Sequence, residues 1–282
     1  MSELSAEQPI SGLPVLMGQM APDDVAALKR AHDALEHPGF AARLSTVAGK
    51  PIELIGSVLP PGASQLITAA STRALEAALK VALRTTRGTS PHSSSGRFHK
   101  ALATVSGAAG GAFGLAALPI ELPVSTVIML RSILNIAQSE GEDLADPETA
   151  LACIQVLALG GRVKSVDASD SGYFAVRGIL AKSVSEAARF VAERSIVEEG
   201  GPVLVRFITR VAARFGMAVT QKVAAQAVPV VGALGGAAIN YVFVEHFQEM
   251  ARGHFIVRRL ERSYGKDLVR DEYERLSQVE AD

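Results

Sequence analysis

Much of what usually announces a function is missing from this chain. There is no GxSxG elbow, no phosphate-binding P-loop, no dinucleotide glycine fingerprint and no CxxC pair, so the most readable catalytic and cofactor signatures are excluded. No Lys/Arg-rich tract occurs and the formal net charge is -1, which leaves no counterion-releasing surface for nucleic acid. The single cysteine, Cys153, excludes an internal disulfide and fits a reducing compartment, and its apolar neighbours in "ALACIQVLAL" predict a buried, inert thiol. The start, "MSELSAEQPISGLPVL", has acidic residues where a secretory signal would be basic, and no long apolar core follows. The expected location is therefore cytoplasmic, with binding to the inner membrane from the cytoplasmic side as the alternative.

What is present is apolar and small. Hydrophobic residues make up 48% and charged residues 20% of the 282, with a mean hydropathy of +0.24, and Ala and Gly supply much of it. A chain of this length can bury a sizeable core without staples. Residues 1–20 carry Pro9, Gly12 and Pro14 without a sustained period and read as an extended arm. Residues 21–282 read as one helical domain, interrupted by a mobile loop at 88–96, "GTSPHSSSG", whose composition buries too little to offset chain entropy.

Helix signals are frequent. "APDDVAALKRAHDALEH" opens at Pro22 and stops before Pro38 and Gly39. From Ala63 to Arg87, Ile67, Ala70, Ala74, Ala77 and Val81 form a stripe opposite Arg73, Lys80, Arg84 and Arg87. That basic side is suited to solvent or to anionic headgroups. "DPETALACIQVLALGG" has Asp146 as cap, Pro147 in its first turn and Gly160 and Gly161 as its stop. In the last, charged part, Phe247, Met250, Val257 and Leu260 make a seam before Gly265, and Val269, Tyr273 and Leu276 a shorter one after it.

Two uncharged stretches share a spacing. Gly107 with Gly111, Gly110 with Gly114, and Gly232 with Gly236 stand four apart, which aligns each pair on one helix face beside Ala. Small residues so placed let backbones approach closely. The expected architecture is an all-α, multi-helix bundle with two closely packed Gly/Ala-rich central helices, a glycine zipper in which Pro229 also takes part. The run 223–244 is long enough for a bilayer, roughly 33 Å against a core near 30 Å. Its nine Val, Leu, Ile and Phe residues contribute roughly -3 to -5 kcal/mol on insertion scales, opposed by Gln226, Pro229, Asn240 and three glycines. Burial in a soluble core, conditional insertion and a permanent span all remain open, with burial preferred.

The run "GAAGGAFGLAALPIELP", then "RSILNIAQSEGEDL", "VPVVGALGGAAIN" and "HFIVRRLERSYG", resembles the EcsC protein family of bacteria over roughly Pro51 to Tyr273. The resemblance implies an all-helical protein of no established activity, whose type member is encoded beside the subunits of an ABC transporter. Gly110, Gly111, Pro123, Arg131, Lys222, Pro229, Gly232 and Asn240 stand where the family pattern has them. The chain departs from it in the polar Ser139 and Glu140 before Gly141, where the family tends to carry an aromatic.

Two groups of residues could carry chemistry. Arg131, Asn135, Gln138 and Glu142 fall on one helical face, either toward water or inward. Facing inward, Arg131 would need a carboxylate, with Glu121 as candidate and Asn240 completing a polar network, a structural lock before it is a catalytic centre. The second group is His246, Glu249 and His254 in "EHFQEMARGH", at spacings compatible with a metal only if another helix adds ligands. The expectation is no metal and no cofactor, with ion pairing to Arg252, Arg258 or Arg259 instead. Two functions follow: a non-catalytic accessory protein at the inner face of the membrane, assisting a transport or envelope process with lipids or a membrane complex as partner, or a hydrolase acting on a lipid or peptide, with or without a metal. The first is preferred. Oligomeric state is not legible.

Overall fold

Most of the described helix boundaries fall at Pro or Gly, as at Pro22, Gly49, Gly62, Pro147, Gly160, Pro202 and Gly265. A computed structural model describes residues 19–36, 39–49, 59–86, 117–161, 172–193, 201–227 and 232–279. Among these are nine α-helices and no strand: α1 (Pro22–Glu36), α2 (Phe40–Ala48), α3 (Ala63–Thr85), α4 (Leu118–Ser139), α5 (Pro147–Leu159), α6 (Gly172–Glu193), α7 (Pro202–Gln226), α8 (Gly232–Tyr264) and α9 (Lys266–Val279). The protein is all-α. The arm at 1–18 and the loop at 88–96 lie outside the described residues.

Local chemistry sets several boundaries. Asp146 Oδ1 accepts from the Glu148 backbone N–H at 3.0 Å and Pro147 follows it, so α5 begins with one orphan donor satisfied and another absent. Gly265, with φ +87°, separates α8 from α9, because only a residue without Cβ enters that region cheaply. Gly141, with φ +78°, turns the chain sharply after α4.

Helix α8 is the spine. It packs on α1, α2, α4, α5, α7 and α9, while α3 lies against α4, α5 and α7 on the far side. Its inward stripe runs through Ile239, Phe243, Phe247, Met250, Val257 and Leu260. Phe215 of α7 and Phe40 of α2 meet Phe243 at ring separations of 6.1 and 6.0 Å. Helix α5 is buried from Thr149 to Leu159, Cys153 included, as the continuous apolar composition requires. Buried side chains from Leu28 in α1 to Tyr273 in α9 form one contiguous cluster.

The uncharged run 223–244 is shared between two elements. Residues 223–226 finish α7, and α8 begins at Gly232 and continues without interruption into the charged segment after Val244. The described helix long and apolar enough to cross a membrane is instead α4, and 56% of its apolar window is buried inside the protein. Gly107, Gly110, Gly111, Gly114 and Pro229 lie outside the described residues; Gly232 opens α8 and Gly236 is buried one turn later.

Candidate functional site

The first polar site is at the start of α4. Pro119 and Pro123 occupy its first turns, and Glu121 stands between them in the first turn, where the helix dipole favours a carboxylate. Glu121 points inward. Its Oε1 accepts from Lys222 Nζ of α7 at 2.6 Å, and the ammonium also lies 4.9 Å from the centre of the Phe243 ring. Asn240, one turn earlier on α8, is fully buried.

Of the two orientations open to Arg131, the structure takes the outward one. Arg131 is on the exposed side of α4, and the triplet conditional on its facing inward does not form, although Glu121 and Asn240 are both interior. The reason is the composition of the helix: Leu122, Met129, Leu130, Ile133, Leu134 and Ala137 fix the inward face, and Arg131 falls opposite it. The cation that Glu121 uses is Lys222. Glu142 also leaves the face it was expected to share, since α4 ends at Ser139 and Gly141 turns the chain inward. Glu142 is there buried in a fork with Arg258, at 2.9 Å from both Nε and Nη2, and bonded to Arg262 and to the Thr149 hydroxyl at 3.1 Å. Desolvation opposes its charge, but Arg258 and Arg262 hold the carboxyl below the ordinary range.

The three side chains of the histidine-bearing face are each held by a different partner. His246 is buried, stacked on Phe40 at 4.4 Å, with Nε2 2.8 Å from the Gly160 carbonyl, so that nitrogen carries the proton and donates it. Desolvation pushes its pKa down to about 4, keeping it neutral. Glu249 is forked to Arg43 at 3.0 and 2.5 Å. His254 Nδ1 lies 2.9 Å from the Tyr173 hydroxyl, which also receives Arg177 Nη1 at 3.4 Å. Arginine only donates, so the tyrosine accepts from Arg177 and donates to His254. Burial, then Arg177 and Arg258, hold His254 well below its ordinary pKa, and burial pushes Tyr173 up to about 12. Among the described residues no three metal-ligating side chains converge.

A cleft of about 440 Å³ lies beyond this relay. Its inner wall is the Arg177–Glu261 pair, a fork with contacts of 2.7 and 2.6 Å joining α6 to the end of α8. Its outer wall is the first turn and a half of α9, with Lys266, Asp267 and Arg270. Sequence reasoning missed this cleft and the Tyr173, Arg177, Glu261 and Lys222 partnerships. Lys222 had a readable signal, a charge standing immediately before a long uncharged run; the others are joined across 81 or more residues and leave no local trace.

Fold and polar sites together define an all-α protein in which, among the described residues, Glu121, Glu142, Lys222, His246 and His254 are buried and each is held by a named partner. The family is given by comparison: the EcsC protein family matches residues 23–260, and the chain belongs to it. No curated protein and no solved structure matches the chain.

Proposed function

We propose that this protein is a non-catalytic helical accessory protein that seats one face of its bundle on the inner side of a bacterial membrane, in support of a transport or envelope process. The observation that carries the reading is on α4. Ile120 and Val124, one turn apart, are 76% and 48% exposed, on a helix otherwise apolar enough to cross a bilayer. Val127 and Ile128 follow half-buried, and only at Arg131 does the outward face become polar.

Magnitudes favour a shallow seat. Burying what remains exposed of the two side chains contributes about 2–4 kcal/mol, weaker than a single lipid anchor and reversible. Exposed Arg73, Lys80 and Arg84 on α3, which packs beside α4, add about 1 kcal/mol each near anionic headgroups. A full span would have to extract the packed majority of the α4 window from the core.

Sedimentation with phosphatidylglycerol-containing vesicles tests this. The protein is expected to pellet with them more than with phosphatidylcholine vesicles, and Ile120→Asp with Val124→Asp to lower partitioning at least tenfold. Recovery of the unaltered protein entirely in the supernatant at low salt, with either vesicle, overturns the reading.

A further inference from the structure

We propose that the cleft between α6, the end of α8 and the start of α9 binds a small amphiphile bearing a phosphate monoester, with the phosphate at the α9 rim and the apolar body along α6. The floor is apolar and open: Ala175, Gly178 and Ala181 recur every third residue on the exposed side of α6, and a Cβ built on Gly178 meets nothing within 4 Å. Phe174 closes one end, its ring centre 6.0 Å from the Arg177 guanidinium and 5.8 Å from that of Arg270. The volume lies in the range of small-ligand sites.

Charge selects the headgroup. Glu261 is committed to Arg177 in a two-bond fork, and the charged side chains at the opening are Lys266 and Arg270 with Asp267. Lys266 and Arg270 are four apart on α9 and share a face, which offers two cations to one doubly charged group. Arg270 pairs with Glu274 within its own helix at 2.8 Å, but both are well exposed, at 59% and 44%, and such a pair yields readily to a stronger oxyanion. This rim belongs to α9, which begins after the family match ends at residue 260. The floor on α6 lies within the matched residues, and the site shares no residue with the Ile120 and Val124 face.

Titration calorimetry with octyl phosphate, below its aggregation threshold, and with inorganic phosphate tests the assignment. Octyl phosphate is expected to bind saturably at one per chain, at least tenfold tighter than inorganic phosphate, and more weakly as salt is raised. Lys266→Ala with Arg270→Ala should weaken both probes at least tenfold at an unchanged melting temperature, since both side chains are exposed. Gly178→Leu should weaken octyl phosphate and leave inorganic phosphate within twofold; Asp267→Asn should tighten both. Absence of saturable binding, equal affinity for the two probes, or indifference to the Lys266 and Arg270 substitutions overturns the proposal. So does loss of octyl phosphate binding in Ile120→Asp with Val124→Asp, because the affinity would then belong to the membrane-facing patch.

Discussion

Lys222 Nζ lies 2.6 Å from Glu121 Oε1, and the two side chains are 0% and 7% exposed. Removing one partner strands a charge in the core, whereas replacing both removes the desolvation cost along with the attraction. Lys222→Met alone or Glu121→Leu alone is expected to cost about 3–5 kcal/mol, and the double substitution much less, within about 1 kcal/mol of the parent. Urea unfolding of the four proteins in a double-mutant cycle checks this. Additive losses would mean that the two groups do not act as a pair.

Glycine substitutions should separate by environment. A Cβ on Gly161 would stand 1.9 Å from the Arg214 backbone carbonyl oxygen, which no rotamer change can relieve. Gly161→Ala is expected to destabilise by about 3 kcal/mol through the forced separation of α5 from α7. Gly178→Ala, inside α6 with open space above it, is expected to stabilise by about 0.5–1 kcal/mol. Thermal unfolding in the same buffer distinguishes the two signs.

Acid should loosen the fold well before carboxylates titrate. His246 is held neutral with a pKa of about 4, so between that value and the unfolded value the unfolded chain binds the extra proton. The stabilisation is fully present above about pH 6.5 and is lost as pH falls toward 4. From His246 alone the loss at pH 5 is about 2 kcal/mol, and the depressed pKa of His254 acts in the same direction. Denaturant midpoints at pH 7 and pH 5 measure it; an unchanged midpoint would show that neither histidine stays neutral.

What could be read in advance was local. The cap at Asp146, the stop at Gly160, the break at Gly265 and the seam of Phe247, Met250, Val257 and Leu260 are all decided by near neighbours, and all are found. On α3 the expected seam is right at Ile67, Ala70 and Ala74 but rotates to Ala78 and Ala82 further on, since a straight helix drifts against a fixed stripe. The continuity of α8 across Val244 is not anticipated, since the uncharged run and the charged segment read as separate parts in the sequence; Phe243, Phe247 and Met250 keep one face through the change. Pairings such as Lys222 with Glu121 or Arg177 with Glu261 were not legible either, as they depend on which helices become neighbours. Arg131 illustrates the difference: its helical face was readable, but which way that face points was settled only by the packing of α4.

Helix α8 spans 33 residues, about 50 Å, as a single rod without a proline. Its early turns carry Phe243 under the Lys222 ammonium, and its last turn carries Glu261 in the cleft wall. Two chemically unrelated corners of the molecule are thereby fastened to one stiff lever, and a tilt imposed at either corner must be felt at the other.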